Sequence, residues 1–251
     1  VHLSNRIGII EHMKKTWGIV GLGWLGSELA TELQKKNHKT WGTHSQDFNF
    51  YSHSFPSTPY DVLFLNTPPL TQLTPATYAA KINKIEGSKI IFISSTSVYG
   101  YNKGLITESS VPEPKTESAR WLVEVESALQ DKFKEELTII RPGGLIGGDR
   151  HPVYSLSRKN EVPNGDAVIN LIHRLDLMSI CIAAANDRSI RLINAVAPHH
   201  PKKKDYYSQW ASKLNLPKPI FLGETEANKQ IDSETLPTLH SRWICPKLDF
   251  L

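Results

Sequence analysis

The stretch Trp17-Gly18-Ile19-Val20-Gly21-Leu22-Gly23-Trp24-Leu25-Gly26 decides the fold. Its first four residues read as a buried parallel strand. They open directly into G-x-G-x-x-G, and an amphipathic helix pattern follows at once. Gly21 permits the tight turn out of the strand. Gly23, without a Cβ, lets a pyrophosphate lie against the backbone. Gly26 lets the helix sit close to the strand. The helix N-terminus adds free N–H groups and positive dipole, so Trp24 and Leu25 join the three glycines in the expected pyrophosphate cradle. The competing reading is a plain glycine turn in an α/β protein; strand, glycines and helix together favour dinucleotide binding.

Working outward, Leu25, Leu29, Ala30 and Leu33 share one face of a helix over 25–36, with Glu28, Glu32, Lys35 and Lys36 outside. A strand over 39–43 completes a βαβ unit. Further buried strands are expected over 61–66, 89–95, 138–142 and 191–196, and helices over 76–85, 117–135 and 206–214. The connection 44–60 is polar and aromatic without clear periodicity. Strands alternating with helices predict an α/β fold with a Rossmann-like, doubly wound, mostly parallel sheet. Beyond about Arg141 the chain is richer in Pro, Gly and polar residues. The expected organisation is a peripheral head (1–15), an NAD(P)-binding core (16–145) and a mixed region (146–251). The last would complete the sheet and form a small substrate lobe over its C-terminal edge, where open α/β sheets bind ligands.

Composition narrows the function classes. The 251 residues are 39% hydrophobic and 22% charged, enough for a full core in a soluble protein. The net charge of +4 is mild. The one tight basic run, Lys202-Lys203-Lys204 before Asp205, reads as a solvated turn rather than a nucleic-acid surface. No stretch approaches the roughly 18 apolar residues of a membrane span. Residues 1–12 lack the apolar run and cleavage site of a signal peptide, and a start at Met13 would place Met-Lys-Lys ahead of the first strand. Cys181 and Cys245 have neither C-x-x-C nor metal-ligand spacing, which points to a reducing, cytoplasmic setting, no disulfide framework and no metal. The expected partners are a small-molecule substrate and, in a homodimer, a second copy of the chain; a monomer is equally compatible.

Four blocks, the glycine loop among them, carry a resemblance. They are Gly21-Leu22-Gly23-Trp24-Leu25-Gly26, Ser94-Ser95-Thr96-Ser97-Val98-Tyr99-Gly100, Arg141-Pro142-Gly143-Gly144-Leu145-Ile146-Gly147 and Asn170-Leu171-Ile172-His173-Arg174-Leu175-Asp176-Leu177. In order and spacing they resemble the NAD(P)-dependent epimerase/dehydratase group, extended or atypical members of the short-chain dehydrogenase/reductase superfamily. The Ser-Ser-x-x-Val-Tyr-Gly block is the most specific, and the likeness runs from Thr16 to the C-terminus, through Ile193-Asn194-Ala195-Val196 and Lys229 before Leu236. The resemblance implies that Gly21, Gly23 and Gly26 hold the pyrophosphate, that Asn66, Thr67, Pro68 and Ser94 lie along the cofactor, and that Pro142, Gly143 and Gly144 pass beside the nicotinamide. It implies that the Ser95 hydroxyl bonds a substrate oxygen; the plainer alternative is a strand-end hydroxyl satisfying backbone groups. Ser97, Arg150, His151 and Asn170 would face the substrate. The His173 block reads as a structural turn, with Asp176 capping a helix.

The chain also departs from the family. Its oxidoreductases carry Tyr-x-x-x-Lys on the helix after Val-Tyr-Gly, the lysine lowering the tyrosine pKa. Aligning that helix by Val125-Glu126 puts Ser118 and Leu122 at the two positions; sliding by two residues gives Thr116 and Arg120. No tyrosine stands between Tyr101 and Tyr154, and arginine is a poor acid. At the end of the second strand, Thr43-His44-Ser45 stand where NAD-binding folds place an acid for the ribose 2′-OH, and Asp47 comes late. Hydroxyls and an imidazole suit a 2′-phosphate better, so NADP is expected ahead of NAD. Three functions remain: an NAD(P)-dependent oxidoreductase, epimerase (isomerase) or dehydratase on a polar substrate such as a sugar nucleotide; a non-catalytic dinucleotide-binding sensor or scaffold; and a hydroxyacid-type dehydrogenase. The short chain after residue 145 and Val98-Tyr99-Gly100 argue against the last.

Overall fold

The computed structural model describes residues 14–101, 103–223 and 229–250. Most of the expected head, 1–13, lies outside the described residues. Lys15, its last residue, is tied in, with Nζ donating to the Ala185 carbonyl and to Asn186 Oδ1 at 3.1 and 2.7 Å.

The chain runs β1 (Thr16–Val20), α1 (Gly26–Lys35), β2 (Lys39–Thr43), β3 (Val62–Leu65), α2 (Pro75–Lys81), β4 (Lys89–Ile93), β5 (Gly104–Ile106), α3 (Glu117–Phe133) and β6 (Leu137–Pro142). It continues through β7 (Gly144–Ile146), α4 (Val153–Leu156), β8 (Leu171–His173), α5 (Arg174–Ala184), β9 (Leu192–Ala195), α6 (Lys203–Lys213), β10 (Lys229–Ile231) and α7 (Leu236–Leu239). Six strands form one sheet in the order β2-β1-β3-β4-β6-β9, and every pair is parallel. The expected doubly wound sheet is present.

Side-chain alternation explains the apolar runs. On β3, Leu63 and Leu65 enter the layer beneath α2 and α3, while Val62 and Phe64 enter the layer beneath α1 and α5. Ile90 and Phe92 of β4 part from Ile91 and Ile93 in the same way. A strand covered on both faces reads as a near-continuous apolar run. Compared with the 3-2-1-4-5-6 order of dinucleotide-binding sheets, β2 is an edge strand among the described residues, and β9 extends the opposite edge. Residues 44–60 fold over the sheet edge as an aromatic cluster. Phe48, Phe50 and Phe55 have ring centroids 5.1, 6.1 and 6.2 Å apart, and Phe50 stacks on Tyr78 of α2 at 4.5 Å.

Caps set the helix limits. Thr74 accepts from the Thr77 N–H and Pro75 takes the first helical position, so α2 starts there; Ile82 turns extended and ends it short of the expected residue 85. Thr116 caps α3 by accepting from the Ala119 N–H. At α5 the expected cap is wrong. His173 is the N-cap, its Nδ1 accepting from the Leu175 N–H at 3.2 Å. Asp176 is fully buried and accepts from the Ile244 and Cys245 N–H groups at 2.6 and 2.8 Å. Asp176 stands in the first turn, but its carboxylate holds the C-terminal segment instead of the helix end.

After β6 the chain leaves the sheet through Gly143. Val153, Tyr206, Tyr207, Trp210 and Leu248 make a small third cluster there with β7 and β8. β9 then returns to the far edge of the sheet. Both cysteines are free and buried. Among the described residues no helix is long and apolar enough to cross a membrane.

Candidate functional site

Parallel strands end on one edge. Gly21, Asn66, Ser94 and Gly143 leave the sheet there, immediately beyond β1, β3, β4 and β6, and His44 leaves it beyond β2. The three glycines differ in their surroundings. Gly21 has φ +106°, and a Cβ on it would lie 2.3 Å from the Asn66 carbonyl oxygen. A Cβ on Gly26 would meet the Gly21 carbonyl oxygen at 2.2 Å. A Cβ on Gly23 would meet nothing within 4 Å. Backbone packing therefore demands the outer two, while Gly23 borders open space at the start of α1. Leu25, the N-cap, offers no side-chain acceptor to that helix end. Trp24 points its side chain the other way, between the guanidinium groups of Arg150 and Arg174 at 5.2 and 4.6 Å from its ring.

On one side of the loop lies a hollow of about 150 Å³, bounded by Gly21, Thr43, His44, Ser45, Phe48, Phe50, Thr67 and Pro68, with Asn49, Tyr51 and Leu70. Among the described residues neither a carboxylate nor a Lys or Arg lines it. The aromatic residues 48–51 were not expected here; a run of aromatics after a βαβ unit was the available signal. Asn66 Nδ2 donates to the Gly21 carbonyl at 3.3 Å, fixing the turn between hollow and loop.

Beyond the loop, at the ends of β4 and β6, is a cavity of about 510 Å³. It brings together Ser94, Ser95, Ser97, Pro142, Gly143, Gly144, Arg150 and Asn170, eight residues singled out in the sequence, and adds Ile93, Thr96, Leu145, Lys229 and Ile231. Ser95 Oγ accepts from the Ser97 N–H at 3.1 Å. Its own proton is left to donate, so the backbone role and a substrate role coexist. Lys229 Nζ donates to the Gly100 carbonyl at 2.7 Å, and burial holds its pKa below the ordinary lysine value. The likeness runs through Lys229, but no block gives it a role; it sits on a three-residue strand.

Other expected residues serve the fold. The Ser94 hydroxyl is buried and donates its proton to Glu126 Oε1 at 2.5 Å. Asn170 spends its amide on β10, Nδ2 donating to the Lys229 carbonyl and Oδ1 accepting from the Ile231 N–H, both at 2.8 Å. A Cβ on Gly143 would lie 2.5 Å from the Asn170 carbonyl oxygen, so backbone packing ahead of β8 requires that glycine, whereas one on Gly144 would press on the end of the Leu171 side chain at 2.6 Å. His151 does not face the cavity. It is 5% exposed, among the rings of Tyr206, Tyr207 and Trp210. Its Nδ1 accepts from the Val153 N–H, which leaves Nε2 to donate to the Tyr206 hydroxyl. Burial pushes its pKa down to about 4.

The tyrosine positions are equally clear. Tyr99 is fully buried, and its hydroxyl is bound by Arg141 Nη1 and Asn194 Oδ1, each at 2.8 Å. Burial raises its pKa, against the pull of Arg141. Tyr101 is 73% exposed and borders a different hollow. On α3, Leu122 is in the core, Thr116 is the cap and Arg120 donates to the Lys115 carbonyl at 3.3 Å. None of Thr116, Ser118, Arg120 and Leu122 lines the cavity.

No protein-family model matches the chain. Protein YeeZ of Escherichia coli K12 is 30% identical over 255 aligned residues, covering 86% of this chain and 90% of that protein. Among solved structures, a provisionally named NAD-dependent epimerase/dehydratase from Methylobacillus flagellatus superposes with a TM-score of 0.71 at 21% identity, covering 93% of this chain and 94% of that one. UDP-glucuronic acid 4-epimerase from Bacillus cereus, in complex with NAD, gives 0.70 at 16% identity, with 90% and 92% covered. dTDP-4-dehydrorhamnose reductase from Yersinia enterocolitica gives 0.66 at 19%, with 90% and 93% covered.

Proposed function

The chain belongs to the family of Escherichia coli YeeZ and has the fold of the NAD-dependent epimerases, dehydratases and reductases, and on that premise we propose that it is an NAD(P)-dependent oxidoreductase of the extended short-chain dehydrogenase/reductase type. The observation that carries this reading is the open space at Gly23 between two glycines locked by backbone. A Cβ would fill that space, and a pyrophosphate suits it: N–H groups and the α1 dipole face it. Adenosine would then occupy the aromatic hollow, with Thr43, His44 and Ser45 at its ribose, and the nicotinamide would reach the larger cavity beside Pro142 and Gly143. Bound there, the nicotinamide would supply or accept a hydride. Ser95 would hold the substrate oxygen, and Arg150 would attract negative charge on the substrate. A sugar nucleotide has such charge, and two proteins of this fold are named for such substrates. The buried free cysteines support a reducing, cytoplasmic setting.

The positions of Thr116, Ser118, Arg120 and Leu122 outside the cavity favour a second reading, a dinucleotide sensor without chemistry. Consumption of NADPH with dTDP-4-dehydrorhamnose and related keto-sugar nucleotides separates the two. The enzyme reading expects turnover that falls about 10²-fold in Ser95→Ala with NADPH affinity unchanged. NADPH binding without turnover on any of these probes supports the sensor.

A further inference from the structure

Resting on the oxidoreductase reading, we infer that Lys229 is the proton-carrying group of the cleft and faces the substrate oxygen held by Ser95. Among the described lining residues, Arg150 and Lys229 are the only ones with an ionisable side chain in the ordinary sense; the rest are hydroxyl, amide, apolar or glycine. Arginine stays protonated and cannot relay a proton at useful pH. A serine hydroxyl can orient an oxygen but is a weak acid. That leaves the amine.

The geometry suits the task. Lys229 lines the cavity; one Nζ–H is spent on the Gly100 carbonyl at 2.7 Å, which leaves the amine further donors. Gly100 closes the Ser94–Gly100 block that also supplies Ser95, so acid and oxygen-binding hydroxyl hang from one turn. Asn170 is the positioning residue, since its amide clasps the backbone of β10 on both sides of Gln230. Desolvation lowers the amine pKa, as burial of a lysine should. The charged groups around it are Arg150 across the cavity, Lys103 beside β5, and Glu113 and Lys115 beneath Gly100. Glu113 is taken up by Lys115 at 3.9 Å.

In the reductive direction, the substrate carbonyl carbon gains a hydride from the reduced nicotinamide cofactor. The carbonyl π pair passes to oxygen, and that oxygen takes a proton from the Lys229 ammonium. The amine left neutral is reprotonated from water. Oxidation of an alcohol is the reverse, with the neutral amine taking the hydroxyl proton.

Competitive acetylation of the intact protein with acetic anhydride across pH, read by peptide mass spectrometry, tests this without a known substrate. Lys229 is expected to titrate below Lys103 and Lys115 and to label more slowly when NADP is present. Labelling of Lys229 with the pH dependence of those two lysines, or no labelling at any pH, overturns the proposal. Calorimetry keeps the two readings apart: Lys229→Met is expected to bind NADPH as the parent does, whereas failure of the parent to bind NADPH overturns the oxidoreductase reading instead. On any carbonyl probe the parent reduces, Lys229→Met should lose at least about 10²-fold in kcat. Lys229→Arg, which keeps the charge without a usable proton, should not restore it; full activity in Lys229→Arg contradicts the proton role.

Discussion

Arg141 of β6 and Glu126 of α3 form a buried ion pair, each side chain 6% exposed, with Nε and Nη2 of the arginine reaching the two carboxylate oxygens at 3.1 and 2.5 Å. Ser94 donates to the same carboxylate, and Arg141 Nη1 reaches the Tyr99 hydroxyl. The pair therefore holds the ends of β4 and β6 at the cavity and locks Tyr99 into the core.

Removing one partner should leave a buried charge unpaired. Glu126→Ala is expected to cost about 3–5 kcal/mol in urea unfolding, whereas Glu126→Met with Arg141→Met should recover much of that loss. A single-variant loss below about 1 kcal/mol would show that the pair bears little on stability.

His151 gives a pH prediction with a definite sign. Burial holds it neutral, with its pKa near 4 against 6.5 in an exposed chain. Its contribution is complete above about pH 6.5 and is lost as pH falls toward 4, because only the unfolded chain takes up the proton in that window. The loss is on the order of 3 kcal/mol. His173 and His200 are pushed the same way by burial, so the informative quantity is a difference. The stability of His151→Phe should fall less steeply than the parent's between pH 6.5 and 4.5, and parallel curves would contradict the assignment.

The core was legible where one physical demand acts alone. β1, β3, β4 and β6 are apolar because both faces are covered, and the glycine spacing follows from a backbone contact. The rest depends on pairs that are distant in sequence. Glu126 stands in an apolar helix stripe and Arg141 in an apolar strand, and neither shows its partner without the fold. The resemblance puts His151 at the cleft, yet three rings of α6 enclose it. Lys229 reaches the cavity on a three-residue strand whose register depends on Asn170, 59 positions earlier. No local periodicity carries such information.

Cofactor preference follows from the hollow beside β2. Thr43, His44 and Ser45 line it without a carboxylate. NADPH should bind more tightly than NADH by on the order of tenfold, about 1.4 kcal/mol. His44→Asp should reverse the order by repelling a 2′-phosphate. Equal affinities in the parent, measured by calorimetry, would contradict the NADP assignment while leaving the loop intact.

The central claim is that the space at Gly23 receives a pyrophosphate. Calorimetric titration of NADPH into the parent and into Gly23→Val, with thermal unfolding as the control for folding, tests it most directly. Because a Cβ at Gly23 borders open space, the variant should melt with the parent and yet lose binding at least a hundredfold, about 2.7 kcal/mol. A folded Gly23→Val that binds NADPH as tightly as the parent would contradict the account.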